Sequence, residues 1–365
     1  MPRKSSKRAG RKAARHQRPT GRLRKGSSAP DFENLLKVLR RQVPERPTLF
    51  EFFLNGPLYA KLSGRPYKKA EDRITDLRRL VLAFKKAGYD YATFHGSGFG
   101  FPAGEKPRAQ TISLNSGAVI TDRKSFEAYA WADPESYDYS ALDNIAPDLA
   151  EGMKIIVCGP GGVLENAIGL VGYERLCLML ADDPPLAKDI FDAIGSRLVK
   201  HYRIVAARDT VGACISNDDW GFKTQPMLSP AQLRQYVFPW HRRIVATIHA
   251  VGKPAILHSC GCAFAIMDDI IDDMRYDGKH SYEDVIQPVE EAYTQYSKRI
   301  AILGGLDVDF ICRSTPDEVK RRAKAMLERS ASSGSYALGT GNSVPEYVPE
   351  EKYFAMISAA TEARG

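Results

Sequence analysis

What this sequence lacks removes whole classes of protein. No apolar run approaches the roughly 20 residues that a membrane-spanning helix needs, which argues against a transmembrane chain. Cysteine is sparse: six in 365 residues, at 158, 177, 214, 260, 262 and 312, scattered through apolar segments. That spacing does not suit a disulfide-stapled secreted scaffold and points to a reducing, cytoplasmic setting. No phosphate-binding P-loop occurs, and "GSGFG" at 96–100 misplaces the third glycine of a dinucleotide fingerprint, with no helix start behind it. Acidic residues are absent from 1–26, which hold 11 Lys and Arg, so the net charge of +8 becomes about −3 for the rest of the chain. A mildly acidic body has the wrong sign for nucleic-acid binding. The basic stretch reads as a disordered, solvated tail over 1–28, with one folded domain over 29–365.

What is present is a repeated alternation. Eight short β-favouring runs recur, each followed by Gly, Asn, Asp or His and then by helical periodicity: 47–53, 89–95, 153–159, 211–217, 253–259, 274–280, 299–305 and 335–341. Helices are expected at 71–87, 174–205, 229–250, 263–273, 283–298, 315–330 and 350–363. Eight strands alternating with helices predict an α/β protein with a (β/α)8 TIM barrel. Residues 96–150, after the second strand, are too long for a simple connection. They contain the alternating run "AQTISLNSGAVIT", so a hairpin and short helices are expected in an insertion there.

In such barrels the chemistry sits at the C-terminal ends of the strands. Here the unusual polar residues fall at those ends: His95, Glu165 and Asn166 beyond "GPGG", Asn217-Asp218-Asp219, His258 with Cys260, His280, Asp307 and Asn342. In "ILHSCGC" (256–262), residues two apart on an extended strand share a face, so His258 and Cys260 point together, which suits a metal. The plain alternative is a core histidine beside an inert thiol. Gly261 leaves open whether Cys262 stays on that face. Asp218 and Asp219 are adjacent and face opposite ways, one into the pocket and the other capping a turn or helix. His280 is a candidate ligand, a proton-transfer group or a hydrogen-bonding partner of Glu283.

The segments "GPGGVLENAIGLVGYERLCLMLADDPPLA", "DDWGFKTQPMLSPAQLRQYVFPWHRRIV", "GKPAILHSCGCAFAIMDDIIDD", "IAILGGLDVDFICRSTPDEVKRRAKAML" and "YALGTGNSVPEYVPEEKYFAMI" resemble, in order and spacing, the uroporphyrinogen decarboxylase superfamily. The resemblance covers roughly 150–360 in detail and 45–150 by layout, and it implies a (β/α)8 barrel enzyme. True decarboxylases of that superfamily grip their substrate with an Arg-rich "RQAGR"-type segment, where this chain has "LFEFFLNGPLYAKLSGR". Their pocket Tyr, Ser and His correspond to positions near Glu165 or Asn166, Asp219 and Asn342. Added acids disfavour a poly-anionic substrate.

Zinc-dependent methyltransferases of the superfamily carry a His-x-Cys pair, which His258 and Cys260 match. They also have a third Cys, which "GTGNSV" (339–344) does not supply. The resemblance therefore implies a zinc ligand set of His258 and Cys260, with Glu165, Asp219, Cys262 or His280 as the third member. It also implies methyl transfer with a corrinoid carried by a separate protein, since no Asp-x-His-x-x-Gly signature occurs in this chain. The rival readings are a metal-free decarboxylase or lyase on a smaller substrate and a non-catalytic ligand-binding barrel. Asp219, His280, Asn342 and Glu165 are the candidate catalytic groups. A small-molecule substrate is expected, with no membrane partner and no nucleic acid bound by the barrel; the basic tail alone leaves contact with nucleic acid or anionic lipid, or a targeting role, open, and a homodimer is compatible with the pattern. Deleting residues 1–28 is expected to leave the melting temperature nearly unchanged, because they hold almost no apolar side chains to bury; a scanning-calorimetry shift of many degrees would show a docked tail.

Overall fold

The computed structural model describes residues 28–66, 72–104 and 113–364, so the basic tail lies outside the described residues. Seven parallel strands follow one another around the sheet in chain order. They are β1 (Tyr91–His95), β2 (Lys154–Cys158), β3 (Val211–Asn217), β4 (Ala255–His258), β5 (Gly278–His280), β6 (Ala301–Leu303) and β7 (Tyr336–Ala337). Helices pack outside, among them Arg73–Ala87, Pro184–Ala206, Phe238–His249, Pro316–Ser330 and Glu350–Thr361. Strands β4 to β7, buried at every position, suit a sheet curled under a helical layer. The fold is the expected (β/α)8 barrel, with 96–150 inserted after the second of its eight strand segments.

The first segment, 47–53, closes the curl in an unusual way. On one side it pairs with the end of the last strand: Phe50 N–H donates to Leu338 O and Leu338 N–H to Thr48 O, each at 2.8 Å. On the other side, the Tyr91 hydroxyl stands where a ladder to β1 would run. It accepts from Glu51 N–H and donates to Glu51 O, both at 2.7 Å. The side chain satisfies the groups that a full strand would have paired, so the segment contributes one bridge rather than a strand.

Other expectations change for local reasons. The helix predicted over 174–205 is two, Tyr173–Asp182 and Pro184–Ala206. Pro184 and Pro185 lack the N–H groups needed to continue the first, and Asp183 caps the second through Leu186 N–H at 3.1 Å. The helix over 229–250 widens to a π turn at Leu233–Val237, just before Pro239 removes a donor. In 263–273 only short 3-10 and π turns form, Phe264–Ile266 and Asp269–Asp273. The helix over 283–298 shortens to Val289–Tyr296. The insertion holds short helices, Arg123–Ala128 and Ser140–Asn144. Of the expected hairpin, 105–112 lie outside the described residues, and the described part, 113–121, carries no strand. No helix among the described residues is long and apolar enough to cross a membrane.

Candidate metal centre at the barrel mouth

Parallel register brings distant residues into one row at the C-terminal strand ends. Asn217 lies opposite His258, and His258 opposite His280. Just beyond, Asp219, His258 and Cys260 offer a carboxylate oxygen, a ring nitrogen and a sulfur that all lie within 4.8 Å of one another. The Cys260 sulfur is 3.6 Å from His258 Nε2, and Cys260 N–H donates to Asp219 Oδ1 at 2.8 Å. Gly261 then turns away at φ +84°, packed so tightly on Gly221 that a Cβ would stand 2.0 Å from its carbonyl oxygen. Cys262 is carried into the neighbouring loop, where its N–H donates to Phe222 O at 2.7 Å, and it does not join the cluster.

The histidines form a chain with one consistent proton arrangement. His280 Nε2 lies 3.1 Å from the carbonyl oxygen of Thr340, an acceptor only, so that nitrogen carries the proton. His280 Nδ1 is 2.8 Å from His258 Nδ1. Burial pushes His280 down to about 3 and His258 well below its ordinary value, so both rings are neutral at pH 7. His280 Nδ1 therefore accepts from His258 Nδ1–H, leaving the lone pair of His258 on Nε2, toward Cys260. A metal-binding histidine needs such an orientation, with its other nitrogen held by a fixed acceptor. That acceptor is His280, rather than Asp218, Asp219 or Glu283. Both His280 nitrogens are engaged, Nδ1 with His258 and Nε2 with the Thr340 carbonyl, and its ring nitrogens face these groups rather than Glu283.

Burial raises the Cys260 thiol to about 12, and Asp219 is also raised by burial. The thiolate form needs compensation, and three neighbours provide donors or charge. Asn342 Nδ2 and Ser281 Oγ approach the sulfur at 3.3 and 3.5 Å. The buried Lys279 ammonium donates to Ser281 O at 2.8 Å and to Ser259 O at 3.3 Å, and rests 4.4 Å above the Tyr282 ring. Burial brings Lys279 down to about 8, while the charges of Cys260 and Asp219 oppose that shift. A cavity of about 520 Å³, lined by Tyr282, Glu283, Asp307, Asn342 and Tyr347 among others, opens beside Asn342.

The other acids divide their roles. Asp218 is fully buried and accepts from Leu164 N–H (2.9 Å) and Glu165 N–H (2.8 Å), capping the helix Val163–Val171. Its Oδ2 also takes the Nε2–H of His241 at 2.8 Å. His241 Nδ1 in turn accepts from the Tyr276 hydroxyl at 2.7 Å. Glu165 reaches back to Gly162 N–H at 2.9 Å and takes Asn217 Nδ2 at 3.3 Å. Its pKa is raised by burial and then by the charges of Asp218 and Asp219. It borders the cluster without belonging to it. Asp307 is an N-cap, accepting from Phe310 and Asp284 N–H at 2.8 Å each. His95 lies apart from the cluster, with Nδ1 3.2 Å from the sulfur of Cys158.

Sequence reasoning missed Lys279 and Glu51. For Glu51 the available signal was a single charged residue inside an otherwise apolar run, 47–53; Lys279 sits in the mixed run 274–280 beside Arg275, Asp277 and His280, which gave no such signal. Thr340 N–H and its hydroxyl meet the two carboxyl oxygens of Glu51 at 2.7 Å each. Phe50 and Phe52, flanking Glu51, lay their rings on His280 and His258 with centroids 5.2 and 4.5 Å apart.

Fold and site together define a (β/α)8 barrel with an oxygen, nitrogen and sulfur donor set at its mouth. The uroporphyrinogen decarboxylase (URO-D) family model matches residues 94–363, and the chain belongs to that family. Among solved structures it is similar to a methyltransferase from Methanosarcina mazei, at 16% identity and a TM-score of 0.68, covering 93% of this chain and 99% of the other. A β-glycosidase from Thermosphaera aggregans aligns at 13% identity and a TM-score of 0.42, covering 94% of each chain. No curated protein matches the chain in sequence.

Replacing Asp218 with Ala strands two helix N–H groups and a fully buried imidazole. Urea unfolding is expected to show a loss on the order of 3 kcal/mol; a change under about 0.5 kcal/mol would contradict the capping role.

Proposed function

We propose that this chain is a zinc-dependent methyltransferase of the URO-D family, working with a corrinoid held on a separate protein. The observation that carries the metal part is the Asp219, His258 and Cys260 cluster with the His258 lone pair directed to its centre. Two anionic donors and one neutral nitrogen suit zinc, which takes carboxylate, imidazole and thiolate, and catalytic sites use three protein ligands with an open position. Asp219 thus takes the place of the thiolate missing from "GTGNSV". Support for methyl transfer is the family and the barrel shared with the Methanosarcina protein.

When bound, zinc would supply Lewis acidity, favouring the thiolate form of a substrate thiol at neutral pH. The chain's own residues do the rest. Asn342 and Ser281 donate to the Cys260 sulfur and hold it in place. Lys279 balances the anionic ligands from behind. A cavity lined in part by Asn342, whose amide reaches the Cys260 sulfur, offers room for a small substrate. Glu165, whose burial and acidic neighbours favour the protonated form, can hold a proton at the mouth. That same feature favours a second reading, a metal-free decarboxylase or lyase in which Glu165 moves the proton.

Zinc stoichiometry separates the two readings. Protein purified under reducing conditions should carry close to one zinc per chain. Cys260→Ser and Asp219→Ala should lose most of it while remaining folded, and Cys262→Ser should keep it. Wild type without zinc after zinc supplementation, or full retention by Cys260→Ser, would overturn the metal reading in favour of the second.

A further inference from the structure

The Thr340 hydroxyl has one proton and two oxygen neighbours, Glu51 Oε2 at 2.7 Å and the Asn342 carbonyl, which can only accept. If Glu51 were ionised, one of these contacts would set lone pair against lone pair. A protonated Glu51 resolves it. Its O–H donates to Thr340 Oγ1, Thr340 donates on to Asn342 O, and Glu51 Oε1 accepts from Thr340 N–H at 2.7 Å. Glu51 is fully buried, and burial pushes it up to about 8. The titratable groups around it are the phenols of Tyr89, Tyr91, Tyr336 and Tyr353 and, beyond Thr340, the neutral ring of His280. None of these carries a positive charge at neutral pH.

Thr340 stands where two arms of the site meet. Its carbonyl receives His280 Nε2–H, which sets the His280 and then the His258 tautomer. Its hydroxyl holds the backbone of Asn342, whose side chain donates to the Cys260 sulfur. We propose that Glu51 is a positioning residue for the metal centre, a neutral carboxylic acid that holds Thr340 in the orientation fixing both the His258 ring and the Cys260 sulfur. This rests on the Asp219, His258 and Cys260 reading. Glu51 comes from the segment that closes the barrel, so the closure and the site share one hydrogen-bonded unit.

The test uses Glu51→Gln, Glu51→Ala and Thr340→Val in the full chain. Glutamine keeps both bonds to Thr340, its amide oxygen accepting and its amide nitrogen donating, and it cannot ionise. In metal-free protein with ¹⁵N-labelled histidine, NMR should show His258 protonated on Nδ1 and His280 on Nε2 in wild type and Glu51→Gln. Glu51→Ala should show mixed tautomers. Chelator competition should give Glu51→Gln a zinc affinity equal to wild type at pH 7, and Glu51→Ala one about 10- to 100-fold weaker. Thr340→Val should keep the tautomers, because its carbonyl remains, yet bind zinc more weakly through the loosened Asn342.

The folded-state value of Glu51, about 8, lies above the value of 4.5 it has when exposed. Its contribution to stability is therefore fully present below about pH 4.5 and is lost as pH rises through about 8. Urea titrations across that window should show this loss in wild type and not in Glu51→Gln. Unaltered tautomers in Glu51→Ala, or a Glu51→Gln protein as impaired as Glu51→Ala, would overturn the proposal. Should Glu51→Ala not fold, equal pH dependence in wild type and Glu51→Gln, or unchanged zinc affinity in Thr340→Val, would do the same. If wild type binds no zinc, the metal reading fails, while the tautomers and the pH dependence still decide the role of Glu51.

Discussion

The contact between the two buried imidazoles, His258 Nδ1 to His280 Nδ1 at 2.8 Å, is the interaction on which the site depends. Two neutral rings can share that distance only if one nitrogen is protonated and the other is not, and the Thr340 carbonyl decides which. From that assignment follows the free lone pair on His258 Nε2, which lies 3.6 Å from the Cys260 sulfur. Burial supplies the other condition, because imidazolium would be poorly solvated in this core. A charged His280 would have protons on both nitrogens and could not accept from His258.

The barrel provides the setting for this contact through register. Parallel pairing puts Asn217, His258 and His280 at one level, and the loops beyond them add Asp219, Cys260 and Asn342 around a common centre. Glycines at two places allow the close approaches this requires. Gly261 turns the chain at positive φ against Gly221, and a Cβ on Gly162 would stand 2.1 Å from Asp218. The two adjacent aspartates thereby divide: Asp218 secures the wall and Asp219 faces the cluster.

Strand order and the placement of polar residues at strand ends were legible in the sequence, because parallel strands are continuous apolar runs and their ends are marked by Gly, Asn, Asp and His. The His258 and Cys260 pairing followed from strand periodicity. Less legible was anything set by a side chain replacing a backbone partner. The run 47–53 reads as a strand, yet the Tyr91 hydroxyl takes the place of its ladder to β1. The helix breaks at Pro184 and before Pro239 were visible as residues, but the surrounding apolar periodicity masked them. Cys262 and His280 could not be assigned from spacing, since one depends on the turn at Gly261 and the other on a carbonyl 60 residues away. Glu51 was overlooked because a charge inside an apolar run reads as an exposed position, and Lys279 because its run, 274–280, already holds Arg275 and Asp277; both are buried.

The central claim is the identity of the donor atoms, and X-ray absorption at the zinc K-edge of the zinc-loaded protein tests it most directly. The account predicts one sulfur at about 2.3 Å and nitrogen or oxygen donors at about 2.0–2.1 Å. A shell of two or more sulfurs, which would place Cys262 on the metal, or one with no sulfur at all, would contradict it.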